Sequence, residues 1–335
     1  MSALGTGLLR LGLRAALAMP DVLARPLLGP TPTNDRGVTM DAALWRMVGL
    51  QHRVFGGITK REPAAARAEM RRSISIVASR PDAPLEVRDD QTAGGLPVRV
   101  YRPPAPRAVM VYFHGGGWVQ GDLDTHDNFC RRLAAEANRL VISVHYRLAP
   151  EHPWPAAAHD AIAAFHWARD VAAAHALTRV EVGGDSAGGN LAAVVSIATR
   201  DAGGPSPALQ LLIYPGLDQT RSFASHRTLG DGYVLTARDI DWFQARYNPA
   251  LTDPLASPWH VASTAGLAPA IVTTSGFDPL RDEGEAYAAR LREGGVPVTH
   301  LDEADLVHGY VSMDGAIPAA DRAVGRILEA LRAAG

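Results

Sequence analysis

From about residue 108 onward, short unbroken apolar runs alternate with longer segments in which apolar side chains recur every three or four positions. The runs are Ala108–Phe113, Leu140–Val144, Val180–Val182, Leu209–Ile213 and Ile271–Thr274, and a further strand is expected at Val296–Leu301. Apolar runs of this length, without polar alternation, read as strands buried on both faces. The spacing between them predicts helices near Asp124–Asn138, Ala156–Ala174, Ala187–Arg200, Asp282–Glu293 and Pro318–Ala333. In the last, Val324, Ile327, Leu328 and Leu331 share one face, which should dock on the sheet. Upstream, Leu85–Val87 and Leu96–Tyr101 flank Gly94-Gly95 as an antiparallel hairpin. The pattern is that of an α/β protein with a mostly parallel sheet and helices on both faces.

The rhythm breaks in two places. Residues 1–80 read as helical or irregular: Pro20, Pro26, Pro30 and Pro32 break the first segment, and Asp41–Val54 forms a second helical pattern. Between Asp218 and about Leu267 some fifty residues contain Trp242, Phe243, Tyr247 and Trp259 but no strand pattern. That stretch reads as an insertion at the carboxyl ends of the strands, where ligand crevices of such sheets lie. Leu8–Met19 is apolar enough to suggest a leader sequence. Arg10 and Arg14 interrupt it, and Leu9, Leu13 and Leu17 recur every four residues, so an amphipathic helix packed on the body is expected.

Composition narrows the function classes. With 47% hydrophobic residues in 335, the chain can bury a large core, and one α/β domain with an accessory element accounts for the length. A net charge of −2 favours neither nucleic acid nor an anionic membrane, and no run of about twenty apolar residues exists to span a bilayer. Lys60 is the only lysine. Cys130 is the only cysteine, so it forms no intrachain disulfide; a small buried residue in a cytoplasmic protein is expected. H-E-x-x-H and paired-cysteine spacings are missing, so no metal is expected.

The chemistry centres on Gly183–Asn190, which lies between a β-branched run and a helical segment. Gly184 to Gly188 spell G-x-S-x-G, a strand–turn–helix bend that presents Ser186 above the sheet edge. A serine hydroxyl needs a base within hydrogen-bond reach and a third group to orient that base. Asp278 follows the Ile271–Thr274 strand and His308 follows the last one, in the order Ser, Asp, His that such sheets use. Asp282 and Glu283 compete with Asp278, but they open a helix, where the dipole alone favours carboxylates. His300 is the other histidine after Asp278, and it sits within the expected strand. His114-Gly115-Gly116-Gly117-Trp118 follows an apolar strand, and its glycines allow amides to face a substrate. Gly116, Gly117 and Ala187 are the expected oxyanion donors; His114 is expected to brace the loop.

With His114–Trp118 and Gly121–Asp127, Tyr146–Pro153, Gly184–Asn190, Asp278–Gly284 and His308-Gly309 in this order, the chain resembles the bacterial hormone-sensitive lipase-like (family IV) carboxylesterases. The resemblance implies an α/β-hydrolase fold with an eight-stranded sheet. It makes Ser186 the nucleophile, His308 the base and Asp278 its orienting carboxylate. It further implies a helical cap, made of residues 1–80 and the insertion at about 219–267, over a catalytic domain spanning 81–335. Short- to medium-chain acyl esters would be the substrates, with no cofactor and a monomer or homodimer as the assembly. An amidase, lactonase or deacetylase would use the same triad. A non-catalytic ligand-binding homologue is the reading from another class, and the retained His308 argues against it.

Overall fold

The computed structural model describes residues 3–54 and 61–335. Its sheet is built from β1 (Glu86–Gln91), β2 (Pro97–Arg102), β3 (Ala108–Phe113), β4 (Arg139–Val144), β5 (Val180–Asp185), β6 (Gln210–Ile213), β7 (Ala270–Phe277) and β8 (Val298–Val307). Among the described residues these form one eight-stranded sheet in the order β1-β2-β4-β3-β5-β6-β7-β8. β1 and β2 are the expected hairpin, with Gln91 opposite Pro97, and β2 joins β4 antiparallel. The other strands run parallel, so their carboxyl ends share one edge.

Strand alternation divides the interior into two cores. Val109, Val111 and Phe113 of β3 join the side of α6 (Ala156–Ala174) and α7 (Ala187–Asp201). Met110 and Tyr112 turn the other way, toward α5 (Asp127–Glu136) and α11 (Pro318–Ala333), where they meet Phe129, Leu133, Ile327 and Leu331. Burying each such aliphatic or aromatic side chain contributes about 1.5–3 kcal/mol. The apolar face expected on the last helix is therefore the face that docks.

Three boundaries differ from expectation. α5 starts at Asp127, not Asp124, because Asp122 Oδ1 accepts the Asp124 and Thr125 amides and holds a turn ahead of the helix. β8 continues past Leu301 to Val307, with an irregularity against β7 between Ser275 and Phe277. Its polar stretch escaped notice because Glu303, 2% exposed, is paired with Arg326 of α11. Pro26 does not break the chain; it lies inside α2 (Asp21–Leu28), late in a helix too short to lose many bonds by it.

The other N-terminal helices are α1 (Ala3–Leu17), α3 (Ala42–Val54) and α4 (Pro63–Val77). α1 packs on the body as expected: Leu17 is buried, and Arg10 donates to the Ser75 and Ala78 carbonyl oxygens at the end of α4. Leu9 departs from the expected stripe and is 47% exposed; the side chains of Leu8 and Arg14 lie outside the described residues. Lys60 lies outside them too. Asn34 donates to the Gly276 carbonyl, and Arg67 of α4 donates to the Val119 and Ala149 carbonyls, so this segment grips the loops at the carboxyl edge. Between β6 and β7 the insertion holds α8 (Ser225–Thr228), α9 (Ala237–Tyr247) and a 3-10 turn at Pro258–His260. Thr236 and Asp239 form a reciprocal capping box at the start of α9. Among the described residues no helix is long and apolar enough to cross a membrane.

A buried ion pair spans β3 within the sheet, from β4 to β5. Arg139, 1% exposed, donates to Glu181 at 2.8 Å and to the carbonyls of Ala137 and Leu331. Removing one partner strands the other's charge in the interior, although Arg179 also reaches Glu181. The Arg139→Met variant should lose about 3 kcal/mol of stability in denaturant unfolding. A loss under about 1 kcal/mol would show that Arg179 alone satisfies Glu181.

Candidate active site

The bend between β5 and α7 follows from crowding. A Cβ on Gly188 would overlap the Phe113 carbonyl oxygen at the end of β3, and one on Gly184 would overlap Gly188 itself. With this turn pressed against β3, Ser186 takes φ 56° and ψ −117°, conformationally costly for a residue with a side chain. Its amide donates to the Ile213 carbonyl of β6 at 2.8 Å, which pins the bend to the neighbouring strand. Asn190, one turn into α7, donates to the Gly216 and Ala256 carbonyls and so ties the loops that flank the bend.

Asp278 and His308 each directly follow a strand, β7 and β8. His308 Nε2 lies 2.8 Å from Ser186 Oγ, and His308 Nδ1 lies 2.7 Å from Asp278 Oδ2. The remaining Asp278 oxygen accepts the Leu280 amide at 2.9 Å, and the side chain is fully buried. Tyr214 packs its ring 4.7 Å from the His308 ring, and Tyr310 packs against Tyr214. The three residues singled out from the sequence thus form one continuous hydrogen-bonded chain. His300 instead lies in β8 against the Thr274 hydroxyl at 2.9 Å. Asp282 accepts the Ser225 amide and pairs with Arg36, away from His308.

The glycine loop after β3 is held by Asp185, whose Oδ1 accepts the Gly115 amide at 3.0 Å and the Tyr112 hydroxyl at 2.7 Å. His126 Nε2 lies within 3.4 Å of both oxygens of that carboxylate. Burial alone raises the Asp185 carboxyl, but His126 and Tyr112 outweigh it and bring it below its ordinary value. His114 stacks on Tyr146 with centroids 4.3 Å apart, and the Tyr146 hydroxyl donates to the His114 carbonyl. Arg147 and Asp160 pair behind the loop, at 2.7 Å. Gly117 has φ 60° and faces the ring of Phe243 from α9, leaving no room for a side chain. The Gly116, Gly117 and Ala187 amides donate to no other described residue.

These contacts enclose a cavity of about 50 Å³ bordered by Ser186, Ala187, Gly117, Leu235, Ile240 and Phe243. Among the described residues no cluster of His, Cys, Asp and Glu is arranged to hold a metal ion. Asp185, His126, Phe243 and Asn190 had no assigned role in the sequence reading, because each acts through a partner distant in the chain. Glu283 opens a helix as expected, in the first turn of α10 (Arg281–Glu293), where it is 1% exposed and bonded to His226. Its signal was present in the spacing, since Glu283, Tyr287 and Leu291 share the buried face of that helix.

Burial, aided by the neighbouring His126, lowers His114 to about 3, so the ring stays neutral in the fold. The unfolded chain binds a proton there below about pH 6.5, whereas the native state refuses it until about pH 3. Stability is therefore lost as pH falls through that window. The non-titrating variant His114→Gln should show a flatter decline of melting temperature from pH 6.5 to pH 3 than the native chain. An equal or steeper decline would contradict this.

A family model for the alpha/beta hydrolase fold matches residues 110–312. The chain is 43% identical to carboxylic ester hydrolase LipN of Mycobacterium tuberculosis over 89% of its length and 84% of that protein. It is 37% identical to an ethyl acetate hydrolase of Pseudomonas putida, over 81% of this chain and 90% of the relative. Among solved structures, the ester-hydrolase EH1AB1 from the metagenome of Lake Arreo, complexed with a bipyridine phosphonate derivative, superposes with a TM-score of 0.80. It has 38% identity and covers 86% of this chain and 95% of the other.

Proposed function

Since this chain belongs to the hormone-sensitive lipase-like carboxylesterases of the alpha/beta hydrolase fold, we propose that it cleaves short- to medium-chain acyl esters through an acyl-enzyme on Ser186. The observation that carries the proposal is the chain of hydrogen bonds from Ser186 Oγ through His308 to buried Asp278, at 2.8 and 2.7 Å. His308 Nε2 accepts the hydroxyl proton as Oγ attacks the ester carbonyl, and Asp278 holds the ring orientation and stabilises the imidazolium. The amides of Gly116, Gly117 and Ala187 receive the oxyanion; fixed before the reaction, they need no reorganisation when charge develops. Collapse of the tetrahedral species breaks the C–O bond, and His308 gives its proton to the departing alcohol. Water then enters, loses a proton to His308 and releases the acid, returning the proton to Ser186.

The acyl range rests on the cavity. A small cavity beside Ser186, walled by the apolar side chains of Leu235, Ile240 and Phe243, suits a short acyl chain. The Pseudomonas putida relative is named for a two-carbon acyl ester, which supports the same range. In this reading the insertion forms the wall over Ser186, with Phe243 laid on Gly117 and Tyr247 stacked on Trp118 at 4.4 Å. The N-terminal helices complete the cap by gripping the loop through Arg67.

Ser186→Ala should fold with an unchanged melting profile and hydrolyse nitrophenyl butyrate about 10⁴-fold or more slowly. Near-native turnover would sink the assignment. Across nitrophenyl esters from acetate to laurate, kcat/KM should peak by six carbons and fall at least about tenfold by twelve. A maximum at twelve carbons would refute the acyl range, and faster cleavage of matched amides would replace the esterase reading with an amidase.

A further inference from the structure

The loop that carries Asp278 runs from Gly276, near the end of β7, to Arg281 at the start of α10. Within it the Arg281 amide donates to the Asp278 carbonyl at 3.1 Å, and the Leu280 amide donates to the Asp278 carboxylate. The aim of that carboxylate therefore depends on where Arg281 is held. Arg281 is 2% exposed, and its guanidinium forks onto Asp35: Nη1 and Nη2 donate to the two Asp35 oxygens at 2.6 and 3.0 Å. A bidentate bond of this kind fixes direction as well as distance. The fork, aided by the Thr228 hydroxyl, brings the Asp35 carboxyl down to about 2 against the opposing effect of burial, so the acceptor is ionised at neutral pH.

Asp35 is itself presented by a stitched turn. Asn34 Oδ1 accepts the Arg36 and Val38 amides, and the Gly37 amide donates to the Asn34 carbonyl. On either side of Asp35, Asn34 donates to the Gly276 carbonyl at 2.9 Å and Arg36 forks onto Glu285 of α10. Three consecutive side chains thus clasp both ends of the Asp278 loop. The insertion reaches the same point, since Thr228 of α8 donates to Asp35 at 2.9 Å and the Ser225 hydroxyl donates to the Pro279 carbonyl at 2.7 Å. Asp282 also accepts from Arg281, so a change at Asp35 does not leave that buried cation alone.

We propose that Asp35 is a positioning residue for ester hydrolysis: acting through Arg281, it holds the Asp278 loop in the place from which the carboxylate meets His308. This rests on Ser186, His308 and Asp278 working as the triad. A turn outside the catalytic sheet thereby sets the far end of the hydrogen-bond chain.

The test follows nitrophenyl butyrate hydrolysis, with rates counted per serine titrated to completion by a fluorophosphonate. Asp35→Asn keeps the shape and one acceptor and gives up the charge and half of the fork; kcat should fall about tenfold while KM stays within about twofold. Asp35→Glu, which returns the charge, should run at least about threefold faster than Asp35→Asn. If the pair only anchors the N-terminal segment, the melting temperature falls and kcat per titrated serine does not, which overturns the proposal. A rise in KM at unchanged kcat, or an Asp35→Glu rate no better than that of Asp35→Asn, overturns it as well. The route through Asp278 is tested in the Asp278→Asn background, with the phosphonylation rate of Ser186 as the readout. There Asp35→Asn should change the rate less than about twofold, because its target is gone; a further loss of about tenfold assigns Asp35 some other action and overturns the proposal. Asp278→Asn alone should hydrolyse the ester about 10⁴-fold more slowly than the native enzyme. A near-native rate in that variant would overturn the triad reading together with the proposal, whereas every other outcome leaves that reading intact.

Discussion

The close approach of the β5–α7 turn to the end of β3 is the constraint on which the rest of the site depends. Glycines at 184 and 188 let the helix start directly against the Phe113 carbonyl. That contact forces Ser186 into its left-handed conformation and sets its hydroxyl above the sheet edge. The same proximity lets Asp185, next to the proposed nucleophile, reach back to the Gly115 amide. One turn thereby positions both the hydroxyl and the loop expected to receive the oxyanion. Strain of this kind persists only where surrounding structure over-determines it, and here the Ile213 carbonyl, the β3 backbone and the Asn190 bonds all do so.

Around that turn, charge is arranged to be held still. Asp278 is buried with an amide on one oxygen and His308 on the other, so its charge has no freedom to reorient. Asp185 is likewise fixed by Tyr112, Gly115 and His126. His114, kept neutral by burial, stacks on Tyr146 and fills the space behind the loop without adding a competing charge. Such rigid dipoles are what acyl transfer needs, because groups that move to meet a developing charge lose much of their effect. The buried Glu283 carboxylate follows the same construction, with His226 on one oxygen and the Leu217 and Asp218 amides on the other.

The aromatic side chains of the insertion act at the loop as well as in their own packing. Phe243 lies on Gly117, and Tyr247 stacks on Trp118 with planes 3° apart. Contact between insertion and loop is therefore direct.

The sequence by itself determined the alternation of strands and helices, the G-x-S-x-G bend, and Asp278 and His308 as the residues after the last two strands. Those features are local: apolar periodicity, a compulsory glycine, a position in chain order. Only the tertiary structure decided that β8 runs through a polar stretch, because Arg326 from a distant helix satisfies Glu303. It alone brought His126 to Asp185 across 59 positions and His226 to Glu283 across 57. A polar side chain in sequence carries no mark of the partner that will bury it; that partner is selected by which helices the sheet brings together.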